Sequence, residues 1–228
     1  MTIWEVESAR PIARFDSRQV SMPLSKFVRV CFSPDHRHVA VYAFGHGVVI
    51  WDFTGSPRAP IDSKKDLVER NAWKSIGDSD PSVGYKCIWQ LVAMGDQAIP
   101  TIELELRDTH DRKRCVAHLK ELDDDRYQIR EKAYAELASN ALHIEFLLRE
   151  TLNDFKSSAE VKRRIKNLLG ELEVKHLRVV RTITVLEYIN SPGSRALITK
   201  LASGDPESYI TWVARGAKRR VESSSAQK

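Results

Sequence analysis

Cysteine is scarce: Cys31, Cys87 and Cys115 are odd in number, far apart and never arranged as Cys-x-x-Cys. That excludes a disulfide framework and the usual spacing of metal and redox sites, and leaves all three as small core residues. Long apolar runs are missing as well. No window approaches the roughly 18 to 20 apolar residues of a membrane-spanning helix, and Met1 to Arg10 has no apolar stretch like that of a secretory signal. A reducing cytoplasm is the expected compartment. There is no Gly-x-Ser-x-Gly and no glycine-rich phosphate loop, so the common signatures of a serine hydrolase and a nucleotide-binding fold are absent. Excess charge is small: 36 basic and 31 acidic residues are interspersed, giving +5 without a polybasic tail. Such a balance does not by itself indicate nucleic acid. A non-enzymatic protein without cofactor or metal is expected.

What is present divides in two. With 42% hydrophobic and 29% charged residues, the 228-residue chain is that of a globular protein of one or two domains. In the first part Val28, Val30 and Phe32 alternate with Arg29, Cys31 and Ser33, as a strand should. Ser33-Pro34-Asp35-His36 supplies a turn, Val39 to Val41 a second strand, Gly45-His46-Gly47 another turn, and Val48 to Asp52 a third strand. Pro11 to Phe15 reads as a further short strand and Ser17 to Ser25 as loop. Trp4 and Trp51, each in an apolar β-run, lie 47 positions apart, near the roughly 40 to 45 residue period of a four-stranded blade.

Residues 54–63, with Gly55, Pro57 and Pro60, break both strand and helix patterns, and the period then changes. Leu67, Val68, Ala72, Trp73 and Ile76 predict one short helix, and Tyr85, Ile88, Trp89 and Val92 a second that starts on Asp80-Pro81. Val161, Ile165, Leu168, Leu169 and Leu172 form one stripe over 159–173, with Ser157 and Glu160 spaced as a capping box. Asp125 to Gln128 repeats that spacing before Ile129, Ala133 and Leu137, and Asp205-Pro206 precedes Ile210, Val213, Ala214 and Ala217. About nine or ten short helices in succession suggest stacked helical hairpins, buried only by their neighbours.

Phe32-Ser33-Pro34-Asp35, Val39 to Val41 and Val48-Val49-Ile50-Trp51-Asp52 resemble a WD-repeat blade. The Gly-His pair usual before the first strand is missing, Val41 replaces a Ser or Thr of the buried hydrogen-bond network, and Gly45 replaces the turn Asp. By that resemblance the blade relies on apolar packing against neighbours. Leu122-Asp123-Asp124-Asp125-Arg126-Tyr127-Gln128-Ile129-Arg130-Glu131-Lys132-Ala133 is similar to the start of a HEAT repeat, with weaker echoes from Asp80 to Trp89 and from Glu160 to Arg164. The order resembles the C-terminal region of bacterial WD-repeat proteins, most specifically over Val28 to Asp52 and Asp80 to Leu172. The resemblance implies an interaction scaffold without established chemistry, with further blades encoded upstream of Met1.

The expected fold is therefore α+β and mostly α: an incomplete antiparallel β blade over 1–56, a linker over 57–63, a HEAT-like helical domain over 64–221 and a flexible tail over 222–228. A protein partner or the missing blades would cover Trp4, Phe32, Ile50 and Trp51, together with Val30 and Val48. The alternative function is nucleic-acid binding by the helical domain. Arg112-Lys113-Arg114, Lys162-Arg163-Arg164 and Lys218-Arg219-Arg220 each fall on a predicted helix, and Arg114, Lys162, Arg163 and Lys166 are its candidate phosphate contacts.

Other constellations read as structural. Asp123-Asp124-Asp125 offers oxygen to a hard cation, but consecutive residues at a helix start diverge, and capping explains them more simply. His36 and His46 read as turn residues and His38 as a surface strand residue. His110-Asp111 marks a helix start with Asp as cap, and His118, His143 and His176 show no partner in the sequence. Trp73, Trp89, Trp212, Tyr85, Tyr188 and Tyr209 are expected mainly in the core, an exposed one being a candidate contact for a partner.

Overall fold

The computed structural model describes residues 2–14, 27–34, 37–43, 47–52, 72–107 and 111–226. The fold is mostly helical with two small antiparallel sheets, the α+β class expected. The chain divides into two units, Met1–Gly95 and Asp96–Lys228. The linker expected over 57–63, Leu67 and Val68 of the expected short helix, and His36, Gly45, His46 and His110 lie outside the described residues.

In the first unit β1 (Thr2–Glu5) pairs with β2 (Arg10–Arg14), and the register shifts between Ile3 and Trp4. Trp4 there faces Pro11, which has no N–H to donate to the ladder. The alternating strands β3 (Phe27–Phe32), β4 (His38–Ala43) and β5 (Gly47–Asp52) form a meander in the order β3-β4-β5. Ser33 fastens its first connection. The Ser33 N–H donates to the His38 carbonyl at 2.9 Å, and the His38 N–H donates to the Ser33 hydroxyl at 2.9 Å. Ile3, Val39 and Val41 are the buried center, with Ile12 and Trp51 packed against it.

Helix α1 (Pro81–Met94) belongs to the same unit and packs on β2. It starts where the sequence places it: the Asp80 carboxylate accepts the Ser82 N–H at 2.8 Å, and Pro81 occupies the first turn without losing a hydrogen bond. Gly95 ends it at φ +58°, a conformation that a side chain disfavours. Two polar contacts tie the strands to this region: Arg10 donates to the Ser79 carbonyl at 2.7 Å, and the Arg37 guanidinium sits 5.6 Å from the center of the Trp89 ring.

The second unit is helical: α2 (Ile99–Glu105), α3 (Arg112–Glu121), α4 (Tyr127–Asn140), α5 (Glu145–Asn153), α6 (Ala159–Gly170), α7 (Leu172–Ile189), α8 (Pro192–Ala202) and α9 (Tyr209–Ala226). Packing runs chiefly between neighbours in sequence, α3 on α4, α5 on α6, α7 on α8 and α8 on α9, with α7 also on α9. Leu119, Leu122, Ala133, Leu137, Ile144, Leu148, Val161, Ile165, Leu168 and Leu172 make a continuous buried cluster. The apolar stripe of 159–173 is thus buried, but not on one helix. Gly170, a poor helix former, ends α6, and Leu172 opens α7.

Two expected capping boxes are replaced by other contacts. Ser158, not Ser157, caps α6, accepting the Val161 N–H at 3.2 Å, while the Ser157 hydroxyl donates to the Thr151 carbonyl at 2.9 Å. Glu160 is thereby one residue too early to close the box and pairs with Arg163 and Arg164 instead. Before α4 it is Asp124, not Asp125, that accepts the Arg126 N–H at 2.9 Å, and Arg126 makes no side-chain cap.

Candidate interaction surfaces

Strand register decides which predicted residues share a face. Phe32 and Trp51 both lie across from Val39, and Val30 and Val49 across from Val41, so these six belong to one face of the meander. Ile50 pairs with Ala40, and Val48 with Tyr42, on the other. Trp4 belongs to the separate two-stranded sheet. Of the candidate contact residues Phe32 and Trp51 therefore share a face and Ile50 lies on the opposite one, because side chains alternate across a strand.

The first face is sealed only at its center. Val39 and Val41 are fully buried, whereas Val30 and Phe32 on edge strand β3 stay 51% and 54% exposed. The second face is open across its width: Tyr42, Val48 and Ile50 are exposed, Ile50 to 64%. Cys31 shares that face and is exposed, not a core residue as the sequence suggests. Soluble proteins rarely leave this many neighbouring apolar side chains in water without a partner.

The basic residues are partly neutralised within the second unit. Arg163 makes a bidentate pair with Glu160 at 2.8 and 2.9 Å, and Arg114 stands 3.9 Å from Glu136. Lys162 and Lys166, one turn apart on α6, make no ion pair among the described residues. Arg164 is buried, reaching Glu131 at 2.9 Å and Glu160 at 2.6 Å, with its guanidinium 5.9 Å from the Tyr134 ring. Paired guanidinium groups hold the Glu160 carboxyl down at about 2.

Three histidines that look solitary in the sequence have partners. His118 Nδ1 lies 2.7 Å from Glu121 Oε2, His176 Nε2 lies 2.8 Å from Glu145 Oε2, and His143 Nδ1 lies 3.3 Å from the Ser208 hydroxyl. The last two partners come from 31 and 65 positions away, beyond any local spacing rule. Asp111 caps α3 as expected, accepting the N–H groups of Lys113 and Arg114. Cys87 and Cys115 are buried, and burial, aided by Asp111 and Glu136, pushes the Cys115 thiol above its ordinary value.

Asp124 is engaged by Arg126, whose hydrogen bonds hold its carboxyl at about 2, and Asp123 accepts the Ser158 hydroxyl at 2.7 Å. Among the described residues no group of three His, Cys, Asp or Glu side chains is placed to hold a metal ion. No described helix is long and apolar enough to cross a membrane. Trp73 and Trp89 are core residues, whereas Trp212 is 68% exposed and stacks on Tyr209, with ring centers 5.8 Å apart.

A cleft of about 640 Å³ opens in the second unit between α2, α8 and the start of α9, with His143 and Ser208 among its lining residues. Nothing in the sequence singled it out, since its walls come from segments a hundred positions apart. The chain matches no family model, no curated protein and no solved structure.

Proposed function

We propose that the protein is a non-enzymatic interaction scaffold and that the three-stranded sheet of the first unit is its contact surface, taking up an apolar β segment of a partner as one blade of a propeller takes up the next. The observation that carries this reading is the exposure of Val48 and Ile50 on one face and of Val30 and Phe32 at the rim of the other. Covering each half-exposed side chain contributes about 1 kcal/mol, several kcal/mol together. Association costs at least about 4 kcal/mol in lost freedom. Side-chain burial alone therefore gives a weak contact, and main-chain pairing along edge strand β3 or β5 supplies the remainder. In this reading the second unit is a HEAT-like helical support.

Nucleic-acid binding is the weaker reading because Arg114 and Arg163 already face carboxylates. The test of the preferred one is sedimentation velocity over a concentration series of the full chain. Without another partner the open sheet pairs with a second copy, giving concentration-dependent association that Val48→Lys/Ile50→Lys abolishes. A species that stays monomeric throughout, or association indifferent to the double substitution, would overturn it.

A further inference from the structure

We infer that the cleft of the second unit binds an amphipathic monocarboxylate, of the medium-chain fatty acid class. Its volume, about 640 Å³, is that of a site for a small organic molecule, and such sites combine apolar walls with a few placed polar groups. The walls are apolar: Leu106, Leu197 and Ile210 are buried residues that line it. Leu104, also lining it, is 67% exposed and gives the cleft an apolar lip.

Three polar features fix the chemistry of the occupant. Thr211 is 3% exposed and lines the cleft beside Gly204. Its hydroxyl can exchange a hydrogen bond with a ligand oxygen. Gly204 makes room beside it, because a Cβ there would lie 2.7 Å from the Thr211 Oγ1. The second feature is the charge at the rim. Lys200 Nζ is 2.6 Å from Glu103 Oε1, and that ammonium holds the Glu103 carboxyl below its ordinary value, so the pair is internally neutral. Arg107, also lining the cleft, acts on the same Glu103 carboxylate, so Glu103, Lys200 and Arg107 together leave one net positive charge at the rim. The third is His143, whose Nδ1 faces the Ser208 hydroxyl and which adds polar surface without adding negative charge. Apolar walls, one net positive charge at the rim and the Thr211 hydroxyl complement an alkyl chain ending in a carboxylate; an alkylammonium would meet the wrong sign.

The experiment is calorimetric titration of the full chain with decanoate, decanol and decylamine, each below its aggregation threshold. Decanoate is expected to bind saturably at one site, more tightly than decanol, with decylamine weakest. Arg107→Gln should weaken decanoate about tenfold, the scale of a charge-assisted hydrogen bond, while leaving decanol nearly unchanged. Thr211→Val, which keeps shape and removes the hydroxyl, should weaken both oxygen-bearing ligands severalfold. No saturable decanoate binding, equal binding of all three probes, or an Arg107→Gln chain that binds decanoate unchanged would each overturn the inference. Arg107 is exposed, so its substitution leaves the fold intact, and circular dichroism verifies this.

Discussion

Phe32 and Trp51 flank Val39 on one face of the β3-β4-β5 sheet, yet Trp51 packs into the small core that Val39 anchors while Phe32 remains 54% exposed. The gradient runs from sealed center to exposed edge, and it separates positions buried within the sheet from positions exposed at its rim.

Val39→Ala removes two methyl groups from a fully buried site and should destabilise the first unit by about 1 to 2 kcal/mol. Val48→Thr, on the open face, should change stability by less than about 0.5 kcal/mol. Hydrogen exchange of the β4 amides checks both: faster in the first variant, unchanged in the second.

Ala9 holds φ +51° in the turn between β1 and β2, a left-handed conformation that costs a residue with a Cβ about 1 to 2 kcal/mol. Glycine removes that strain but has more unfolded freedom to lose. Ala9→Gly is expected to stabilise the hairpin by about 0.5 to 1 kcal/mol, read as slower exchange of the β1 and β2 amides.

Glu160 should make the second unit acid-sensitive. Arg163 and Arg164 depress its carboxyl from 4.5 to about 2, so the folded state binds fewer protons than the unfolded chain between those values. The associated stability is present above pH 4.5 and is lost as pH falls toward about 2. Asp124, lowered from 3.8 to about 2 by Arg126, adds a second such contribution. Urea midpoints measured down the acid range should fall more steeply for the native chain than for Glu160→Gln.

Arg164 lies between Glu131 and Glu160 and over Tyr134. Its long stem fills space between α4 and α6, so truncation removes packing as well as charge. Because both carboxylates are substantially exposed, Arg164→Ala should cost about 1 to 2 kcal/mol, less than a fully buried ion pair would. Arg164→Met, which keeps the stem, should recover part of that loss in thermal or urea unfolding.

Local chemistry made much of the fold legible. Asp80-Pro81 and Asp111 announced helix starts because a cap acts within three residues, and the alternation from Arg29 to Ser33 announced β3 because a strand has period two. Spacing alone failed where two neighbours compete for one role. Ser157 and Ser158 both fit a cap, and Asp124 and Asp125 both precede α4, but only the path of the incoming chain selects between them. The candidate surfaces were less legible. Trp4, Phe32, Ile50 and Trp51 all read as strand residues, but Trp4 lies in the two-stranded sheet and the division of the other three between faces depends on the register of three strands. The cleft depends on still longer connections, since Arg107, His143 and Thr211 are brought together only by the packed helices.

Hydrogen exchange of the full chain at high and low concentration tests the interaction surface most directly. Amides of edge strands β3 and β5 should gain protection as concentration rises, with α3 to α9 unchanged and the effect lost in Val48→Lys/Ile50→Lys. Protection that falls on the helices instead, or none at any concentration, would contradict the assignment of the open sheet as the contact surface.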